Sequence, residues 1–232
     1  PDVEIEVSVA HGQAVRTLVE LSKSADLLVL GSRGLGGFAG KLLGSVSVRL
    51  AAKAGCPVFI VPPEWRENRD PDAPVLVGVD GSGHSDAALH LALEEARCRG
   101  VGLQVLSAYH VPWLARPIEP EMIAEFEESE RWLSAKTIED SLARVKGHAF
   151  SDVSVEAVTV KANAADALVE ASREAVLTVV GSRGRRSLSR AILGSVSRSL
   201  MQDAQHPVAV VHKATVKHGH TGDQPRTDPP RS

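Results

Sequence analysis

Aromatic side chains are scarce, at 3% of the 232 residues, too few for the stacked-ring platforms that grip single-stranded nucleic acid. Cysteine is scarcer still. Cys56 and Cys98 are the only two and no C-x-x-C occurs, which removes a disulfide framework and a thiolate zinc site and suits a reducing compartment. No apolar run approaches the roughly 18 residues that a membrane-crossing helix needs. Basic excess is also missing: 26 Lys and Arg against 29 Asp and Glu give a net charge of −3, which disfavours a binder of phosphate backbones. The chain opens at Pro1 with neither Met nor a signal-like segment, so a fragment is the expectation. What is present is 43% hydrophobic, enough to bury a core, in a length that allows one or two domains. A cytoplasmic α/β protein without nucleic-acid or membrane partners is expected.

The chain repeats itself at a shift of 150 positions without a gap. Residues 25–34 read A-D-L-L-V-L-G-S-R-G and residues 175–184 read A-V-L-T-V-V-G-S-R-G. Leu43-Gly44-Ser45-Val46-Ser47 matches Leu193-Gly194-Ser195-Val196-Ser197, and Pro57, Val58 and Val61 match Pro207, Val208 and Val211. Residues 73–149 belong to the second copy alone, so residues 1–62 form a partial, C-terminal half-domain and residues 74–212 a complete one. Residues 63–73, rich in charge and proline, read as a linker, and the polar residues 213–232 as a disordered tail.

The complete copy alternates strands and helices. Residues 75–79, 103–108, 153–160, 176–180 and 208–211 are short apolar runs suited to buried parallel strands. Ser82 and Ser85 are possible N-caps for a helix carrying Leu89, Ala92, Leu93 and Ala96, with Gly100 as its stop. Helical patterns also cover residues 119–146, follow Ala164, and include Val196, Leu200 and Ala204. This order predicts a doubly wound parallel sheet.

Both copies carry G-x2-G-x9-G-S: Gly31, Gly34, Gly44 and Ser45 in the first, Gly181, Gly184, Gly194 and Ser195 in the second. Gly31 and Gly181 end a strand, where parallel sheets place ligands. Glycine allows close backbone approach and positive φ. Ser45 and Ser195 stand where a helix begins, so hydroxyls and amides can face a phosphate at its positive end, with Arg33 and Arg183 adding charge. The competing reading is a purely structural turn whose serines are N-caps. A Walker A reading fails, because Leu42 follows Gly40-Lys41 and position 35 is not glycine. The G-x-G-x-x-A match at residues 34–39 is chance, since Arg186 replaces its middle glycine in the second copy.

With Val79-Asp80-Gly81-Ser82 after the first strand of the complete copy and G-S-R-G…G-S-V-S later, the chain resembles the universal stress protein family, over 74–212 as a whole domain and 2–62 as part of another. The resemblance implies a Rossmann-like fold of the adenine nucleotide alpha-hydrolase type, in the tandem arrangement and ATP-binding branch. In that branch Asp80 would bond the nucleoside, the Ala108 backbone would meet the adenine edge, Val180, Gly181 and Gly184 would line ribose and phosphates, and Gly194, Ser195, Val196 and Ser197 would surround the phosphate tail. Magnesium or manganese would be held through phosphates and water rather than by protein ligands. The resemblance also implies pairing through the last strands, residues 58–61 and 208–211, within the chain or between copies. Asp80 as a helix cap remains the alternative. The first copy has no counterpart of Asp80, so its loop at Gly31, Gly34, Gly44 and Ser45 makes an incomplete site.

Other features read as structure or solvent. His212, His218 and His220 are expected to be solvated tail residues rather than metal ligands. Trp113 and Trp132 read as packing residues, and Glu127, Glu128, Glu130 and Arg131 as an exposed face. Arg183, Arg185, Arg186 and Arg190 form either a polyanion contact or a solvated loop. No activated nucleophile is visible, so a nucleotide-dependent regulatory module with at most slow ATP hydrolysis is expected. A scaffold for dimerisation or docking is the alternative. An ATP-activating enzyme ranks third, since Ser82-Gly83-His84-Ser85-Asp86 only faintly resembles S-G-G-x-D-S.

Overall fold

A computed structural model of the chain describes residues 3–33, 43–65, 70, 72–110, 120–147, 150–185 and 192–213. Its strands are β1 (Leu28–Gly31), β2 (Val58–Val61), β3 (Val75–Gly78), β4 (Leu103–Tyr109), β5 (Val155–Lys161), β6 (Leu177–Gly181) and β7 (Val208–Val211). Its helices are α1 (Ala14–Leu21), α2 (Ser45–Lys53), α3 (Gly83–Arg99), α4 (Pro120–Val145), α5 (Ala164–Ala171) and α6 (Ser195–Asp203).

The strands form one sheet in the order β1-β2-β7-β6-β3-β4-β5. Central strands are apolar on both faces because helices cover both. On one face α3 and α4 bury Leu89, Leu93 and Ile138 against Val75, Val77, Val105 and Val179. On the other, α2, α5 and α6 bury Ala51, Leu168 and Leu200 against Val58, Ile60, Leu76, Val180 and Val210. This is the α/β, doubly wound architecture expected of such alternation.

Every neighbouring pair is parallel except β2 and β7, which run antiparallel with Val58 opposite Val210, Phe59 opposite Ala209 and Ile60 opposite Val208. The last strands of the two repeats thus join them within one chain. Each would otherwise expose a row of unpaired amides and carbonyls.

The helix boundaries have local causes. Ser82 accepts from the amide of Ser85 at 3.2 Å, starting α3, and Gly100 at φ 69° ends it in the left-handed region glycine favours. Along α4, Ser134, Ile138 and Ser141 are buried, whereas Met122, Ile123 and Phe126 in its first half are exposed. Trp132 corrects an expectation: it is 63% exposed rather than packed. Two positions along a helix are about 200° of rotation, so a residue two before buried Ser134 faces outward. Trp113 lies outside the described residues.

Among the described residues the first repeat ends the sheet at β1, which pairs with β2 alone, whereas its counterpart β6 lies between β7 and β3. Val3, Ile5, Val7 and Val9 alternate with polar residues as a strand would, and match the start of β5 and the residues before it in the second repeat, yet they are exposed and in no strand. β5 is held by seven pairs to β4, and among the described residues, positions 3–9 have no such neighbour.

Candidate functional site

From β3 the chain proceeds outward to β4 and β5, then returns to β6 on the opposite side of β3. Adjacent strands whose connections depart in opposite directions leave a crevice at their carboxyl ends. Asp80 follows β3 at that crevice and Gly181 ends β6.

The Asp80 carboxylate spans it. One oxygen accepts from the Ser82 amide at 3.0 Å and the other from the Arg185 amide at 2.8 Å, tying the β3 turn to the loop after β6. Burial pushes its pKa up, but bonds from the Ser82 hydroxyl, the Arg185 and Ser82 amides and the Ser85 hydroxyl outweigh that and hold it below the ordinary carboxylate value. Asp80 is thus an anion at neutral pH with an internal task. Asp80 is not the cap of α3, a place that Ser82 takes: its bond from the Ser82 amide closes an Asx turn before the helix, while the bond from Arg185 crosses the crevice.

The loop glycines serve close approach rather than positive φ. Gly81 has φ 77°, but Gly181, Gly184 and Gly194 stay out of the left-handed region. A Cβ on Gly184 would lie 2.6 Å from an Asp80 carboxylate oxygen, and one on Gly181 2.8 Å from the His84 backbone. Side chains there would push the end of β6 and its loop away from the start of α3 and from the Asp80 carboxylate.

The helix after the loop is built differently from its neighbours. α3 and α5 are capped by Ser82 and Asn163, whose oxygens accept from the amides of Ser85 and Ala165. α6 begins instead after Gly194, which has no side chain to accept, and its first internal bond is Arg198 N–H to the Gly194 carbonyl at 3.0 Å. The reading of Ser195 as an N-cap is therefore overturned: Ser195 is the first helical residue. The amides of Ser195, Val196 and Ser197 point along the positive end of the helix with no side-chain cap. Ser195 is exposed there and Val196 half-buried.

The remaining expected residues divide. Ala108 is half-buried near the end of β4, and carrying the Gly78–Leu106 register on by two places sets it level with Asp80. The Val180 side chain is buried under α5 and α6, leaving only its backbone toward the strand tip. The Ser197 hydroxyl is buried and donates to the Gly181 carbonyl at 2.7 Å, so its proton closes the loop. Gly194 N–H bonds the Ser182 carbonyl at 2.9 Å, while the buried Ser182 hydroxyl has no hydrogen-bond partner.

The first repeat reproduces this closure. Gly44 N–H bonds the Ser32 carbonyl at 2.8 Å, Ser47 donates to the Gly31 carbonyl at 2.9 Å, and Gly44 caps α2, with Ser45 its first residue. Gly34 lies outside the described residues. Arg33 is paired with Glu64 at 2.9 Å, and among the described residues no strand flanks β1 where β3 flanks β6. Among the described residues the crevice is formed by the second repeat.

Three side chains given no part in the site by the sequence gather at its rim. His84 occupies the first turn of α3 against Gly181, and the Lys213 side chain lies over Gly83, its amine 3.3 Å from where a Cβ would be. Burial, then Arg183 and Lys213, lower the His84 pKa despite Asp80. His212 overturns the solvated-tail expectation. It is 7% exposed, beside the backbone of Ala51 and Ala52 in the last turn of α2, and burial followed by Arg183 and His84 lowers its pKa although the α2 backbone opposes this. Its position directly after β7 was the available signal. His218, His220, Arg186 and Arg190 lie outside the described residues. Among the described residues no three His, Cys, Asp or Glu side chains gather as a metal cage, and no helix is long and apolar enough to cross a membrane.

Comparison with known proteins converges on one family. The profile of the Universal stress protein family matches residues 1–62 and 73–212. Universal stress protein Rv1996 of Mycobacterium tuberculosis is 39% identical over 218 residues, covering 89% of this chain and 65% of the relative. Universal stress protein Rv2005c of the same organism is 37% identical over 215 residues, covering 91% and 70%. The chain thus spans about two thirds of the length of these relatives. Among solved structures, a universal stress protein from Archaeoglobus fulgidus superposes with TM-score 0.56 at 23% identity, over 85% of this chain and 64% of that one. Protein PA1789 from Pseudomonas aeruginosa superposes with TM-score 0.60 at 18% identity, over 88% and 69%. These two share the fold. The profile matches and the mycobacterial relatives together establish that the chain belongs to the Universal stress protein family.

Proposed function

We propose that the second repeat binds ATP in the crevice between β3 and β6 and that the protein acts as a nucleotide-dependent regulatory module in the cytoplasm. The observation that carries this is the glycine cap of α6. Three amides at a positive helix end are left without a side-chain acceptor, in a repeat that caps α3 and α5 with side chains. Arg183 and Lys213 add positive charge beside it. In this reading the amides of Ser195, Val196 and Ser197 and the backbone of Gly181, Gly184 and Gly194 hold the phosphates. Asp80 keeps lone pairs for the nucleoside while holding the loop, and the Ala108 and Val180 backbones flank the base and ribose. A divalent ion would bind through the phosphates. Binding becomes a signal where ATP prefers one loop arrangement over another.

Calorimetric titration of the full chain with ATP should show saturable binding to the wild type. Asp80→Ala and Gly194→Val should abolish it while circular dichroism remains native. A folded wild-type protein that takes up no ATP would falsify the reading.

A second reading has one observation in its favour: both Asp80 oxygens and the Ser197 hydroxyl already have partners within the protein. On that reading the loop is a brace and the paired repeats are a docking scaffold. The titration separates the two.

A further inference from the structure

We propose that His84 is a proton-accepting contact for the polyphosphate of the bound nucleotide, so that binding takes up a proton at this residue and tightens as the pH falls. The inference rests on the crevice being a nucleotide site and adds to it a specificity-determining residue on the rim.

The argument is one of placement. His84 lies in the first turn of α3, its backbone against Gly181, at the point where the glycine loop leaves β6. Its charged surroundings are Arg183 on the loop, Lys213 after β7, Asp80 after β3, and His212 packed beside the end of α2. Two permanent cations and one carboxylate, itself bonded to the Ser82 and Arg185 amides, leave the neighbourhood positive. A further positive charge on the imidazole is therefore disfavoured in the free protein, and burial and the cations hold its pKa below the ordinary histidine value. A nucleoside polyphosphate entering the same space brings several negative charges within reach of the ring. The electrostatic preference then reverses, the imidazolium becomes the favoured form, and the ring donates a charge-assisted hydrogen bond to a phosphate oxygen.

The sign follows from linkage. The bound form has the higher pKa, so protons are taken up between the free and bound values, and affinity rises as pH falls through that window. Each pKa unit gained on binding corresponds to about a tenfold tightening. A nucleoside monophosphate, with less charge at the rim, should show a weaker pH dependence than ATP.

The test is calorimetry of the full chain with ATP and with AMP at about pH 6 and pH 8, each in two buffers of different ionisation enthalpy, for wild type, His84→Gln and His84→Arg. The nucleotide's own titration is common to all three proteins and cancels in the comparison. Wild type should take up more protons than either variant on binding ATP, and its affinity should gain several-fold more between pH 8 and pH 6 than that of His84→Gln. His84→Arg should bind ATP at pH 8 at least as tightly as wild type does at pH 6. Equal proton uptake by wild type and His84→Gln, with ATP bound by both, overturns this inference and leaves the nucleotide reading standing. Absence of ATP binding to wild type overturns both.

Discussion

At the scale of single residues the loop glycines can be ranked by what a methyl group would meet. On Gly181 it would press 2.8 Å from backbone atoms of His84, which cannot move without displacing the start of α3. On Gly184 it would press 2.6 Å from an Asp80 oxygen, whose side chain can swing, but only by giving up its bonds to Ser82 or Arg185. On Gly194 the approach is 3.4 Å to the Ser182 carbonyl, close to ordinary contact. Gly181→Ala should therefore cost the most stability, about 1–3 kcal/mol, Gly184→Ala less, and Gly194→Ala under about 1 kcal/mol. Urea unfolding midpoints read the order directly, and equal midpoints would contradict the packing account. Spacing alone showed that these glycines matter. It did not show why, because a glycine admitted for closeness and one admitted for positive φ look alike in a sequence. His84 was hidden for a similar reason: what places it at the rim is its contact with Gly181, nearly a hundred positions away in the chain.

At the scale of elements, the two repeats use the same brace. Ser197 donates to the Gly181 carbonyl at 2.7 Å and Ser47 to the Gly31 carbonyl at 2.9 Å, each tying a helix's first turn to the strand that precedes its loop. Replacing either serine by alanine orphans a carbonyl in a partly buried place, at a cost of about 1–2 kcal/mol. With one brace in each repeat and no shared partner, the losses should add in Ser47→Ala/Ser197→Ala to within about 0.5 kcal/mol, measured by thermal or urea unfolding. A loss for one serine and none for the other would mean that only one loop is closed this way in solution.

Elements were the most legible level of the sequence. Residues 208–211 are β7 to the residue, Gly100 ends α3, and α4 covers residues 120–145 of the expected 119–146. Local signals decide such boundaries: a cap, a glycine stop, an apolar period. Illegible were features set by what lies opposite. Trp132 looks like core by composition but falls on the outward side of α4, and residues 3–9 alternate like a strand without a neighbour to pair with among the described residues. His212 looks like tail by composition, yet it follows a buried strand directly and is enclosed with it.

At the scale of the whole molecule, the first repeat draws its support from the second. β1 and β2 are four residues each, and β1 ends the sheet, so two strands and two helices have little core of their own. The antiparallel β2–β7 pairing continues the sheet across the repeat boundary, and one apolar cluster joins Ala51, Val58 and Ile60 to Leu76, Leu200 and Val210. A shared core makes partial unfolding expensive, because removing β2 would expose β7 on its face and along its edge. The chain should therefore unfold in one transition. Ile60, 1% exposed and paired with Val208, is the residue to probe. Ile60→Ala removes buried apolar surface at the junction and should cost about 2–5 kcal/mol. Because both repeats melt together, that loss should move a single urea midpoint downward and leave the slope of the transition unchanged. If the repeats were independent, the variant would show an early transition of small slope followed by the wild-type one, since only the first repeat would have been weakened. Fluorescence cannot resolve this by itself, so far-ultraviolet circular dichroism should be followed alongside hydrogen exchange at the β3 and β6 amides. Faster exchange at those amides in Ile60→Ala, in step with the lowered midpoint, is the outcome that a continuous sheet requires.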